Sequence, residues 1–194
     1  MRLLVAVGLG VAAAATAWVA LVMFREPPVV PLVDLTSTLS SAERRPAAGL
    51  FALENVELSG ENRNAIATPG ASRITWEVKL PDHARLHLAI GLRPEAWTIE
   101  GDGVLFRIGI SDGRIHEDLV TRVVNPFGNA DDRRWIPITV DLHPYSGFKW
   151  SLFYQPRHKT WAVVLNTSAG LPGSVDSRGD LPLWSEPAIL GVAR

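Results

Sequence analysis

The chain of 194 residues has no cysteine, which excludes disulfides, thiolate metal sites and a cysteine nucleophile and leaves the fold to stand on its core alone. It has no charge imbalance either. Its 19 Lys plus Arg stand against 20 Asp plus Glu, and no basic run is interleaved with aromatics, so nucleic acid is set aside as a partner. Long amphipathic helical periods are missing after Phe24, and so are internal repeats. There is no G-x-S-x-G, no phosphate-binding glycine loop and no H-E-x-x-H, so no motif assigns a reaction. The expectation is a non-catalytic protein without a cofactor.

What is present begins with an apolar run. Leu3 to Phe24 is 22 residues without a charge, which as a helix spans roughly 33 Å, the thickness of a bilayer core. Residues 1–25 are therefore read as a transmembrane helix. The rival reading is a cleavable signal peptide with Ala15-Thr16-Ala17 as the cleavage site before Trp18. Apolar residues continuing through Met23, a minimal charged start and the stop at Arg25-Glu26 favour retention. Arg2 and the amino terminus against Arg25 put the N-terminus in the cytoplasm and the rest outside, which in a bacterium means an inner-membrane anchor with a periplasmic domain. Gly8, Ala12, Thr16 and Ala20 form a small-residue stripe on which another membrane helix can pack.

Residues 26–46, with Pro27, Pro28 and Pro31 and then a Ser/Thr cluster, read as a tether, within which Val29 to Leu35 is apolar enough to add an edge strand. From residue 47 to 194 the period is two. Ile74, Trp76, Val78 and Leu80 alternate with polar residues, Leu86, Leu88, Ile90 and Leu92 alternate with His87, Ala89 and Gly91, and the period of two recurs at Val104 to Ile110, Ile136 to Leu142 and Phe148 to Tyr154, while shorter strands are expected at Leu50–Leu58, Leu119–Val124, Trp161–Leu165 and Pro187–Val192. Eight or nine strands without crossover helices predict an all-β fold, an antiparallel two-sheet sandwich of jelly-roll type.

The succession "WEVKLP", "GVLFRIGISDG", "RRWIPITVDLHPYSG" and "LWSEPAIL" resembles the galactose-binding-like jelly rolls, including sugar-binding modules attached to bacterial glycosidases and sulfatases. The resemblance spans about residues 70 to 190. It implies a sandwich in which Trp135, Asp141, Tyr145, Gly147 and Trp184 serve packing, with Asp141 bracing the turn that follows it.

Candidate contacts are few. Trp76 and Trp150 fall on dry strand faces, whereas Trp97, Trp161 and Trp184 sit near predicted loops. Trp faces stack on sugar rings and anchor interfaces, so Trp97 or Trp161 combined with Asp112, Arg133 or Arg134 is the candidate surface for a sugar or a neighbouring subunit. Asp131-Asp132 and Glu117-Asp118 offer oxygen ligands for a structural calcium. His83 and His87 lie four apart across a strand boundary, which does not suit zinc.

Two functions follow. The first is an accessory subunit of an inner-membrane complex, of which a photosynthetic reaction centre with antenna is one example, its sandwich bracing the other integral-membrane subunits. The alternative is a membrane-tethered carbohydrate-binding module at the cell envelope, with glycan as its partner. Intact-mass measurement of the purified protein tests the anchor that both share. The expected mass is that of a chain retaining Leu3 to Phe24, and a chain starting at Trp18 would show secretion instead.

Overall fold

The structure, a computed structural model, describes residues 29–146 and 160–192. The apolar run Leu3 to Phe24 with its stripe at Gly8, Ala12, Thr16 and Ala20, the strand expected at Phe148 to Tyr154, Trp150 and Gly147 lie outside the described residues. Among the described residues no helix is long and apolar enough to cross a membrane.

The strands are β1 (Val29–Asp34), β2 (Glu43–Arg45), β3 (Ala52–Leu58), β4 (Glu61–Ala67), β5 (Ser72–Val78), β6 (Arg85–Leu92), β7 (Val104–Ser111), β8 (His116–Val124), β9 (Ile136–Asp141), β10 (Trp161–Ala169) and β11 (Pro182–Val192). One four-residue helix, α1 (His143–Ser146), follows β9. All pairings are antiparallel. One sheet runs β3-β4-β11-β6-β9 with β1 added to β11, and the other runs β2-β5-β10-β7-β8. The expected two-sheet antiparallel sandwich is what the described residues form.

The core lies between the sheets. Ile74 and Trp76 of β5, Leu86, Leu88 and Ile90 of β6, Phe106, Ile108 and Ile110 of β7, and Leu165 of β10 are all at or near zero exposure, as their period-two spacing demands. Trp184 of β11 meets Phe106 of β7 edge to face, with ring centroids 4.9 Å apart and planes at 80°. This joins the two sheets through an aromatic pair in its favoured geometry. The loop position expected for Trp184 is thus corrected: it is fully buried.

That correction has a physical cause in β11. The pairing of β11 with β6 shifts between Ser185 and Ala188, and Glu186 there takes a left-handed φ of 47°. One extra residue in the strand changes the parity of the inward side chains, so Trp184 and Ile189 both point into the core. The period breaks at this point, and only Pro187–Val192 was legible as strand. β4 escaped notice for a different reason. Its first four residues are Glu-Asn-Arg-Asn, and the only signal was the Ser59-Gly60 turn, both residues having positive φ as a two-residue hairpin requires.

The edge strand read at Val29 to Leu35 is present as β1, and the rest of the tether expected to residue 46 needs correction, since it turns through a buried segment into β2. β1 pairs with β11 at an edge, with a shift between Pro31 and Val33, and β2 pairs with β5. Between them Leu35 is fully buried and Leu39 and Ala42 nearly so. Asp34 turns the chain by accepting from the Thr36 and Ser37 amides at 2.8 and 3.3 Å. The prolines that suggested a stem sit where an edge strand tolerates them. Leu35→Ala should therefore cost about 2–5 kcal/mol in denaturant unfolding, as for a core leucine, where a tether residue would cost less than about 0.5 kcal/mol.

Candidate functional site

The two outer faces of the sandwich differ. On the six-stranded sheet, Ala65, Ala67, Ala89 and Leu183 form a second apolar cluster with Leu58 and Trp135. The tip of the β3–β4 hairpin folds over it. Leu58 lies so close to Gly91 that a Cβ there would stand 2.6 Å from the leucine Cδ1. The Ser59 hydroxyl donates to the Arg133 carbonyl, and the Trp135 indole donates to the Glu61 carbonyl at 3.0 Å. Trp97 packs on the same cluster. This part of the face is covered, while Pro137 and Thr139 of β9 remain exposed on the same sheet.

The outer face of the five-stranded sheet holds an open depression of about 150 Å³ lined by Arg73, Arg107, Gly109, His116, Asp118, Val164 and Asn166. Strand register assembles it. Asn166 of β10 stands opposite Arg73 of β5 on one side and Arg107 of β7 on the other, and Val164 stands opposite Gly109. On β8 the pairing shifts between Ile108 and Gly109, so that Arg107 opposes Thr121 but Gly109 opposes Asp118. This bulge lets Leu119 and Val120 both pack against the core. Were the same residues a regular strand without the bulge, strict alternation from Thr121 would turn Asp118 and His116 inward. Gly109 completes the hollow: a Cβ there would meet the His116 ring at 2.6 Å. His116 Nε2 lies 3.0 Å from Asp118 Oδ1.

The depression offers guanidinium and amide donors on one rung and a carboxylate beside an imidazole on the next, with no Trp, Tyr or Phe in its lining. Ser111 is paired with His116 across the strands, but its hydroxyl accepts from the Gly113 amide at 3.1 Å. No hydrogen bond between a nucleophile and a base is made in the depression. The arrangement is suited to holding a polar ligand.

The residues proposed from sequence do not gather there. Asp112 and Trp161 lie at one end of the sandwich. Asp112 Oδ1 accepts from the Arg114 and Ile115 amides at 2.9 and 2.8 Å to shape the β7–β8 turn, and half-buried Trp161 packs edge to face on Tyr145. Trp97, Arg133 and Arg134 lie at the opposite end. The Trp97 indole donates to the Leu92 carbonyl, Arg133 donates to the Pro126 carbonyl, and Arg134 donates to that of Asp131. Asp141, as expected, braces its turn by accepting from the His143 amide at 2.9 Å. His83 stacks on His143 while His87 meets Thr139, so the two histidines face different neighbours.

The acidic pairs considered for calcium sit at opposite ends of β8. Asp132 accepts from the Asn125 amide at 2.9 Å and lies 3.8 Å from Arg122, while Glu117 bonds Tyr145, whose hydroxyl is pushed up to about 12 by burial and then by that carboxylate. Among the described residues no group of three His, Asp or Glu is arranged to hold a metal. The loop end has residues the sequence did not flag. Asn125 ties Gly101 and Gly128 together, and Asp102 accepts from the Gly170 and Leu171 amides. Beside it, burial, then the charges of Asp102 and Asp176, push the Asp180 carboxyl up to about 6.

No family model matches the chain. An uncharacterized protein of Archaeoglobus fulgidus is 30% identical over 170 residues, a match covering 87% of this chain and 38% of that protein. The chain thus spans well under half the length of this relative. Among solved structures, the module TmCBM61 in complex with β-1,4-galactotriose superposes with a TM-score of 0.50 at 10% identity, over 80% of this chain and 92% of that one. A family 35 carbohydrate binding module from Clostridium thermocellum covers 85% of this chain and 97% of its own at 12% identity, with a TM-score of 0.39. The TmCBM61 likeness shows a shared sandwich fold.

The raised Asp180 carboxyl carries a pH dependence. The folded protein keeps this proton between the ordinary carboxylate value of 3.8 and about 6, where the unfolded chain has released it. Stability therefore falls as pH rises through that window, and the loss persists above it. Asp180→Asn removes the penalty. It should raise stability at pH 7.5 by about 1–2 kcal/mol, discounted for partial solvent access, and change little at pH 4, as read from thermal unfolding at the two pH values.

Proposed function

We propose that this chain is a non-catalytic glycan-binding domain held at a membrane, and that it takes its ligand on the open face of the five-stranded sheet. The observation that carries this is the polar hollow built by a glycine and a bulge on the five-stranded sheet, where the other sheet is covered in part by the β3–β4 hairpin and Trp135. Side chains such as Asn166 and Asp118 there present donors and acceptors of the kind sugar hydroxyls need. The fold shared with a module that binds galactotriose supports the ligand class, though fold is a weak witness to function. The uncharged run Leu3 to Phe24 supports the tether and, with Arg2, an inner-membrane anchor with the domain in the periplasm. The accessory-subunit reading draws on that same run alone.

A panel of plant and microbial polysaccharides in native affinity gels, run with the full chain in detergent, tests the proposal. At least one polysaccharide should retard the protein. Asn166→Ala should weaken that binding about fivefold, the worth of one hydrogen bond, with Arg134→Ala at the loop end neutral. If Arg134→Ala abolishes binding and Asn166→Ala does not, the site lies at the loops. If no polysaccharide retards the chain, the glycan reading falls.

A further inference from the structure

The charges in the depression specify more than a sugar. Arg73 and Arg107 flank Asn166 on one cross-strand rung, and two strand spacings put their Cα atoms about 10 Å apart. Arginine side chains of that separation can close on one group above the amide. Neither guanidinium makes an ion pair or a hydrogen bond with a described residue. Arg45, next along the same rung, is by contrast held by Glu43 at 2.6 Å. A guanidinium left without a partner in a hollow presents a planar fork that matches a carboxylate or a sulfate.

The rest of the hollow has the opposite character. Gly109 and Val164, side by side on the next rung, make a floor without polar side chains. Beyond them Asp118, oriented by His116, supplies acceptors that suit hydroxyl groups. One rung thus carries two cations on either side of an amide, and the next an apolar floor that ends at a carboxylate. A hollow of about 150 Å³ is smaller than the roughly 300 Å³ at which drug-sized sites begin, so it takes one ring.

We propose that this depression binds an acidic sugar residue, with Arg73 and Arg107 on its carboxylate or sulfate, Gly109 and Val164 beneath the ring, and Asp118 on its hydroxyls. The proposal rests on the glycan-binding reading and adds the charge of the ligand to it. It accounts for a lining without Trp, Tyr or Phe, since a charge-assisted fork replaces stacking as the source of affinity.

Calorimetric titration of the full chain with four probes of matched length tests it: oligogalacturonate, a sulfated galactan oligomer, a neutral galactan oligomer and polyglutamate, at about 0.15 M salt to screen diffuse attraction. One acidic oligosaccharide should bind at least about tenfold more tightly than both the neutral one and polyglutamate. Arg73→Gln and Arg107→Gln should each weaken it by about tenfold or more, with unfolding midpoints unchanged, and Arg45→Gln should leave it as it is. Preference between the uronate and the sulfate ester identifies the anionic group. Equal binding of the neutral oligomer, untouched by Arg73→Gln and Arg107→Gln, overturns the acidic-sugar assignment while leaving the glycan reading intact. Equal binding of polyglutamate reduces the hollow to a general anion patch and also overturns it. Silence toward all four probes overturns the acidic-sugar assignment, and the polysaccharide panel then decides the glycan reading.

Discussion

The contact between Trp184 and Phe106 is the point on which the sandwich depends. Two sheets with period-two faces can slide over one another unless something fixes their relative position, and an edge-to-face aromatic pair across the middle of the core does so. Trp184 reaches that position from β11, the strand that pairs with β1, β4 and β6 at once. The bulge after Ser185 then allows the same strand to send Ile189 inward further along. Had the strand been regular, one of these two side chains would have faced solvent, and the order of strands around β11 would have lost its apolar warrant.

With the sheets fixed, the outer faces take different roles. The six-stranded sheet is lined outside with alanines and Gly91, so that the hairpin tip and Trp135 come down onto it and form a small second core. That covers the sheet over β4, the end of β11 and β6. Among the described residues no such cover lies over the depression on the five-stranded sheet, whose outward residues there are Arg, Asn, His, Asp, Gly and Val. A cross-strand rung on a rigid sheet holds polar groups at fixed spacing, which a mobile loop does not. The proposed site therefore follows from the architecture as much as from the side chains.

The loop ends of the sandwich are occupied with their own structure. Asn125, Asp102, Asp112, Asp132 and Asp141 all accept from nearby backbone amides, and Arg133 and Arg134 donate to carbonyls. These are the polar residues that sequence reading naturally offers as ligands. Buried or half-buried loops must satisfy their backbone groups, and here the carboxylates and guanidiniums do it. Trp97 has the same fate, its indole bound to a carbonyl and its ring laid on the second core.

The amino-acid pattern alone determined the class of fold, because alternation of apolar and polar residues is a local property and a strand carries it wherever it lies. It determined most strands and the buried Trp76, it excluded chemistry that needs thiols or known catalytic motifs, and the resemblance to galactose-binding-like jelly rolls added the brace at Asp141. What only the tertiary structure decided was everything that depends on register. The rung joining Arg73, Asn166 and Arg107 comes from three strands distant in the chain, and the outward turn of His116 and Asp118 comes from one extra residue in β8. Apolar content at Val29–Leu35 was visible, but that it closes an edge of the sheet was set by its pairing with β11. A bulge leaves only a broken period in the sequence, and a broken period looks like the end of a strand. Pairing is a long-range choice among many nearly equivalent registers, and it is resolved only when all the apolar faces are buried together.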